Sequence, residues 1–163
     1  MMNSKLLSCA VALLVPWATT LAWAVCPLDQ SVYRDAAQRG FTLEFSPSTS
    51  GLATDIATAQ LRQTRRGAIF SFEVGHSSGY GTVYMVRTDA PGTREHNIHF
   101  FDRRMAVAAP DNAAWIFVSN LGPADWYDNQ RQAQREPFLG DVMWRFLRCK
   151  IHAGTTKQKT IRP

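Results

Sequence analysis

The sequence predicts an all-β, mainly antiparallel domain of about eight short strands, a small barrel or sandwich, with one short surface helix. Three observations lead there. Short β-branched and aromatic runs recur along the chain, clusters of turn-forming residues separate them, and one long polar stretch from Asn120 to Asp141 breaks the rhythm.

Residues 1–24 read as a secretory signal peptide. Lys5 supplies a positive start, Leu6 to Val15 is an apolar run, and Ala22-Trp23-Ala24 is a small-x-small cleavage site, which places the mature N-terminus near Val25. The run is broken at Pro16, Thr19 and Thr20, short of the ~20 apolar residues a spanning helix needs. No later segment is apolar enough to span a membrane, so the predicted product is secreted or periplasmic, with no transmembrane segment after cleavage. Residues 25–150 then form a single β-rich domain, and residues 151–163 a basic disordered tail with too few apolar residues to order itself.

Within the domain, the alternating Phe41-Thr42-Leu43-Glu44-Phe45 pairs with Val32-Tyr33-Arg34-Asp35 through the turn-like AAQRG, a hairpin. Ile56 to Leu61, rich in alanine and threonine, suits helix or strand. Ala68–Val74, Thr82–Arg87, Asn97–Phe101, Ala114–Ser119 and Val142–Arg148 are strands by composition. The helix is predicted over Ala124–Glu136, with Pro123 at its start and Pro137 past its end. Its thin apolar face, chiefly Trp126, Tyr127 and Ala133, predicts a helix lying on the body instead of building the core.

Cys9 leaves with the leader, so the mature chain keeps Cys26 and Cys149. In an oxidising compartment two such residues form one disulfide, and they flank the first and last strands, which are neighbours in a closed up-and-down barrel. Charge carries less information. Of the net +5, the leader supplies one and the tail residues Lys157, Lys159 and Arg162 supply three, leaving the body near +1. A nucleic-acid footprint should cluster on the folded body, so no nucleic acid is expected as a partner.

The motif Gly75-His76-Ser77-Ser78-Gly79 matches G-x-S-x-G, the pattern that presents a nucleophilic serine on a strand–turn–helix elbow. Here Thr82, Val83, Tyr84 and Val86 follow, which favour strand, so a hairpin is expected and Ser77 is only a weak catalytic alternative. Glu95-His96-Asn97-Ile98-His99 suggests metal ligands. On a strand, i and i+3 point to opposite faces, so His96 and His99 cannot share an ion and read as polar strand-end residues. No metal and no cofactor is expected.

The loop between Val74 and Thr82 is longer than a hairpin turn needs. Tyr80 stands between two glycines beside His76, Ser77 and Ser78, a binding-loop composition, and Trp126-Tyr127 is a second aromatic candidate. In layout, the leader, the cysteine pair, the strand meander and the segment SSGYGTVY resemble the small periplasmic lysozyme inhibitors of bacteria. That resemblance implies a serine- and tyrosine-bearing loop inserted into an enzyme cleft, although a near-neutral to basic domain gains no steering toward a basic enzyme. The expected function is binding or inhibition of a protein or cell-envelope partner through surface loops. The alternatives are a small serine hydrolase and a barrel holding a small apolar ligand.

Overall fold

The strands alternate buried and exposed side chains with the period the sequence predicts, and that alternation generates a closed barrel. The computed structural model describes residues 26–79, 81–89, 94–129 and 139–150. Its strands are β1 (Ser31–Asp35), β2 (Phe41–Ser46), β3 (Asp55–Gln63), β4 (Gly67–His76), β5 (Val83–Arg87), β6 (Glu95–Phe101), β7 (Trp115–Val118) and β8 (Met143–Cys149), with helix α1 (Leu121–Asn129) between the last two. Each strand pairs antiparallel with the next, and β8 pairs with β1, which resolves barrel against sandwich. The expected leader (residues 1–24), Tyr80 and the expected tail (residues 151–163) lie outside the described residues.

β3, ambiguous by composition, is a strand because its small residues complement large ones. Ala57 stands opposite Val74 and Ala59 opposite Phe72, so an eight-strand lumen has room for the aromatic rings. Register shifts between Asp55 and Ala57 and between Leu61 and Arg62 interrupt the β3–β4 ladder, irregularities of the kind that bend long strands around a barrel. The interior is filled by Trp144, Tyr33, Phe45, Phe72, Met85 and Ile116, each under 2 % exposed. Burying each of these side chains contributes about 1.5–3 kcal/mol.

The two ends of the barrel are built differently. At one end Cys26 and Cys149 lie at disulfide distance with their Cα atoms 5.8 Å apart, and Ser31 is in register with Cys149. A bond there closes a separation of 123 residues, worth about 4–5 kcal/mol by chain entropy. The Leu28 N–H donates to Asp111 Oδ1 at 2.9 Å, which ties the N-terminal 3-10 turn to the β6–β7 connection.

At the other end lies α1, and here the structure corrects the expected packing face. The helix starts at Leu121, before the predicted Ala124, with Pro123 still in the first turn, where an intrahelical N–H partner is lacking anyway. The predicted end at Glu136, and Ala133, lie outside the described residues. Nor does α1 simply lie on the body. Leu121 belongs to the core cluster together with Leu139, while Trp126 and Tyr127, expected to form the packed face, are 45 % and 62 % exposed. Asp125, 3 % exposed, accepts the Leu139 N–H at 2.8 Å and anchors the returning chain beside the helix.

Candidate functional site

The β4–β5 connection is held from both sides. Gly75 is the register partner of Tyr84, and a Cβ at Gly75 would lie 3.0 Å from the Tyr84 hydroxyl oxygen and 3.2 Å from the Thr54 carbonyl. The first glycine of GHSSG is therefore needed for the tyrosine ring to lie across the outer wall. Past it, the Ser77 N–H donates to the Thr82 carbonyl at 2.9 Å, and the Thr82 N–H donates to Ser77 Oγ at 3.2 Å. These bonds pin the loop at its base.

Beside the loop an open groove of about 480 Å³ crosses the outer wall of β4, β5 and β6. Its lining joins His76, Ser77 and Ser78 to Thr54, Thr82, Tyr84, Glu95 and Asn97. Asn97 brings an amide with donors and acceptors, Tyr84 a hydroxyl, and Glu95 the only carboxylate of the lining. Tyr84, Glu95 and Asn97 are functional-site residues that the sequence reading did not single out. Only the register, with Tyr84 opposite both Gly75 and Asn97, reveals that they flank the loop.

Ser77 sits in a strand–turn–strand context, since β5 follows it where an elbow requires a helix. The Ser77 hydroxyl accepts a backbone N–H as part of the loop closure.

The two histidines of β6 do face opposite ways. His99 is exposed and His96 is completely buried. The expectation of a polar strand-end pair is corrected for His96, which enters the lumen with its ring edge-on to Phe72 at 6.0 Å. Its Nδ1–H donates to the Ser119 carbonyl at 3.0 Å, and its Nε2 has no partner among the described residues. Burial pushes its pKa down from the ordinary value, the Ser119 bond opposes this, and the nearby Arg87 and Arg94 charges add to it. Among the described residues no group of three or more His, Cys, Asp or Glu is placed to hold a metal ion.

Trp126 and Tyr127 are not joined to the groove. They project from α1, with the Arg94 guanidinium 5.9 Å from the Tyr127 ring centroid, at the end of the barrel opposite the β4–β5 loop. A second, larger depression of about 770 Å³ lies near the cysteine end between the β6–β7 connection and β8, lined in part by Arg103, Arg104, Trp115, Arg145 and Leu147. At its floor Tyr33 donates to the Ala113 carbonyl at 3.2 Å, and burial pushes the phenol up to about 12. Of the sequence-predicted residues, His76, Ser77 and Ser78 converge, Tyr80 lies outside the described residues, and the α1 aromatics form a separate patch. No protein-family model, no curated protein and no solved structure matches this chain.

Proposed function

We propose that this chain is a small exported β-barrel, periplasmic or secreted, that binds a protein or cell-envelope component through the groove beside its β4–β5 loop. The observation that carries this reading is the groove itself: polar side chains from three adjacent strands, gathered on one outer wall and bordered by a hydrogen-bonded loop. Interaction chemistry belongs outside this barrel because large side chains occupy the lumen, leaving an apolar ligand little to displace. Export is supported by the leader and by the cysteine pair at bonding distance. Among the described residues no helix is long and apolar enough to cross a membrane. The groove's single carboxylate and its hydroxyl and amide groups suit a partner that presents hydrogen-bonding groups with a cation near Glu95.

The test is recovery of partners from envelope extract with the tagged protein and with Asn97→Arg, which fills the groove from an outward-facing strand position. The variant is expected to lose binding at least tenfold, on the roughly 2 kcal/mol scale of an interface hot spot, with unchanged circular dichroism and melting temperature. A captured partner that binds Asn97→Arg as well as the parent refutes the groove as the site.

A further inference from the structure

The wall on the other side of the barrel carries a different chemistry. Reading one register row around the outside gives Trp115 on β7, Arg145 on β8, Arg34 on β1, Thr42 on β2 and Arg62 on β3. Adjacent strands lie about 4.8 Å apart, so the three arginines fall within roughly 15 Å. Arg148 lies on the same wall, opposite Val32. Arg34, Arg145 and Arg148 are exposed.

Arg34 and Arg145 are direct cross-strand partners, a juxtaposition of like charges that weakens a sheet unless something negative sits between them. Nothing in the described fold does so. Glu44, the nearest acid by register, lies 3.8 Å from Arg62, and Asp102 and Asp111, which line the same depression as Arg145 together with Arg103 and Arg104, are not in the register row and accept backbone N–H groups. Arg145 leans over Trp115, 5.7 Å from the ring centroid. Lys150, where β8 ends, feels the same field: burial pushes its ammonium down, and Arg148 and Arg62 push further against the opposing Glu44.

Apolar groups fringe the row. Leu147 is 43 % exposed beside Arg148, and Trp115 is half-buried. Lys150, the last described residue, follows β8 on this wall, and residues 151–163 hold Lys157, Lys159 and Arg162 with no acid.

We propose that this wall docks on the anionic face of a phospholipid membrane, with headgroup phosphate bridging Arg34 and Arg145. Arginine donates bidentately to phosphate, tryptophan and leucine suit the headgroup boundary, and the basic tail adds a second attraction. A membrane fits better than an acidic peptide because a closed barrel offers no free strand edge for an extended chain to pair with. In this orientation the β4–β6 groove faces away from the lipid, so the inference goes beyond the proposed binding function and stands or falls separately from it.

The experiment is co-sedimentation of the protein, as purified from an expressing bacterium, with phosphatidylglycerol-containing vesicles and with pure phosphatidylcholine vesicles. Binding to the anionic vesicles alone is expected, weakening as salt shortens the Debye length from about 10 Å at 0.1 M toward about 3 Å at 1 M. Arg34→Gln with Arg145→Gln should lower partition about thirty-fold, the effect of two charges near the surface. Arg65→Gln with Arg94→Gln, equal in net charge but at the helix end, should lower it far less. If the first pair lowers the melting temperature, Arg148→Gln alone is the second reading, expected to cost several-fold.

Equal losses in the two pairs would reduce the effect to net charge and overturn the proposal. So would binding that vanishes only with Lys157→Gln, Lys159→Gln and Arg162→Gln, which would assign it to the tail. Wall-dependent binding to polyglutamate without vesicle binding would replace the membrane with an acidic protein segment.

Discussion

Gly75 and Gly122 stand near opposite ends of the barrel, and each is glycine because something else occupies the space of its side chain. At Gly75 the occupant is chiefly the far end of the Tyr84 ring, at 3.0 to 3.1 Å from a built Cβ. At Gly122 it is the backbone of Gly140 and Asp141, in outright overlap with any Cβ. A ring can swing a few tenths of an ångström, whereas a peptide held by the buried Asp125–Leu139 bond cannot. The comparison teaches that the helix end is locked and that the wall beside the β4–β5 loop retains some room to adapt. Adaptability suits a recognition groove, and rigidity suits the junction that returns the chain to β8.

The largest effect expected from this difference is at the helix end. Gly122→Ala should cost about 3 kcal/mol in urea denaturation, overpacking outweighing the ~1 kcal/mol that alanine gains over glycine in a helix. A loss below ~1 kcal/mol would mean that α1 and the returning chain separate freely, and the contrast would collapse. Gly75→Ala should cost less, about 1 kcal/mol, because Tyr84 gives way. In the double variant with Tyr84→Phe, removal of the hydroxyl should recover part of that loss, a coupling of at least ~0.5 kcal/mol. Additive costs would show that the Thr54 carbonyl, and not the ring, is the obstacle.

The smallest and most gradual effect is a pH slope from His96, whose ring grips Ser119 just ahead of α1. Its folded pKa lies below the ordinary 6.5, so between 6.5 and that lowered value the unfolded chain binds a proton that the folded chain refuses. Stability should be level with respect to this group above pH 6.5 and fall as pH drops through the window. His96→Leu should flatten the slope in melts at successive pH values. An unchanged slope would remove His96 as the source.

Much of this was legible along the chain. The eight strands, their inner and outer faces and the cysteine pair follow from patterns with a period of two and from counting. The opposite facing of His96 and His99 follows from the same parity. Helix α1 was misjudged because Trp126 and Tyr127, the largest apolar residues in the segment, looked like its packed face. Leu121, lying before the expected start, makes the real contact. The groove is half legible: the loop residues stand out by composition, while nothing in the local sequence singles out Tyr84, Glu95 and Asn97, which join the loop only through register.

By itself, then, the sequence determined which segments are strands and which face each residue takes, because side-chain alternation is a local property of an extended backbone. It also supplied the expectation of a leader and the pair of cysteines available to the domain, which are matters of composition and order. Only the tertiary structure decided that β8 closes on β1, that Tyr84 covers Gly75, that His96 is buried against Phe72 and that Arg34 faces Arg145. Each of these depends on register, and a slip of one residue between two strands exchanges inside for outside. Register is set jointly by every hairpin and by the pairing of the first strand with the last, contacts that no short stretch of the chain contains.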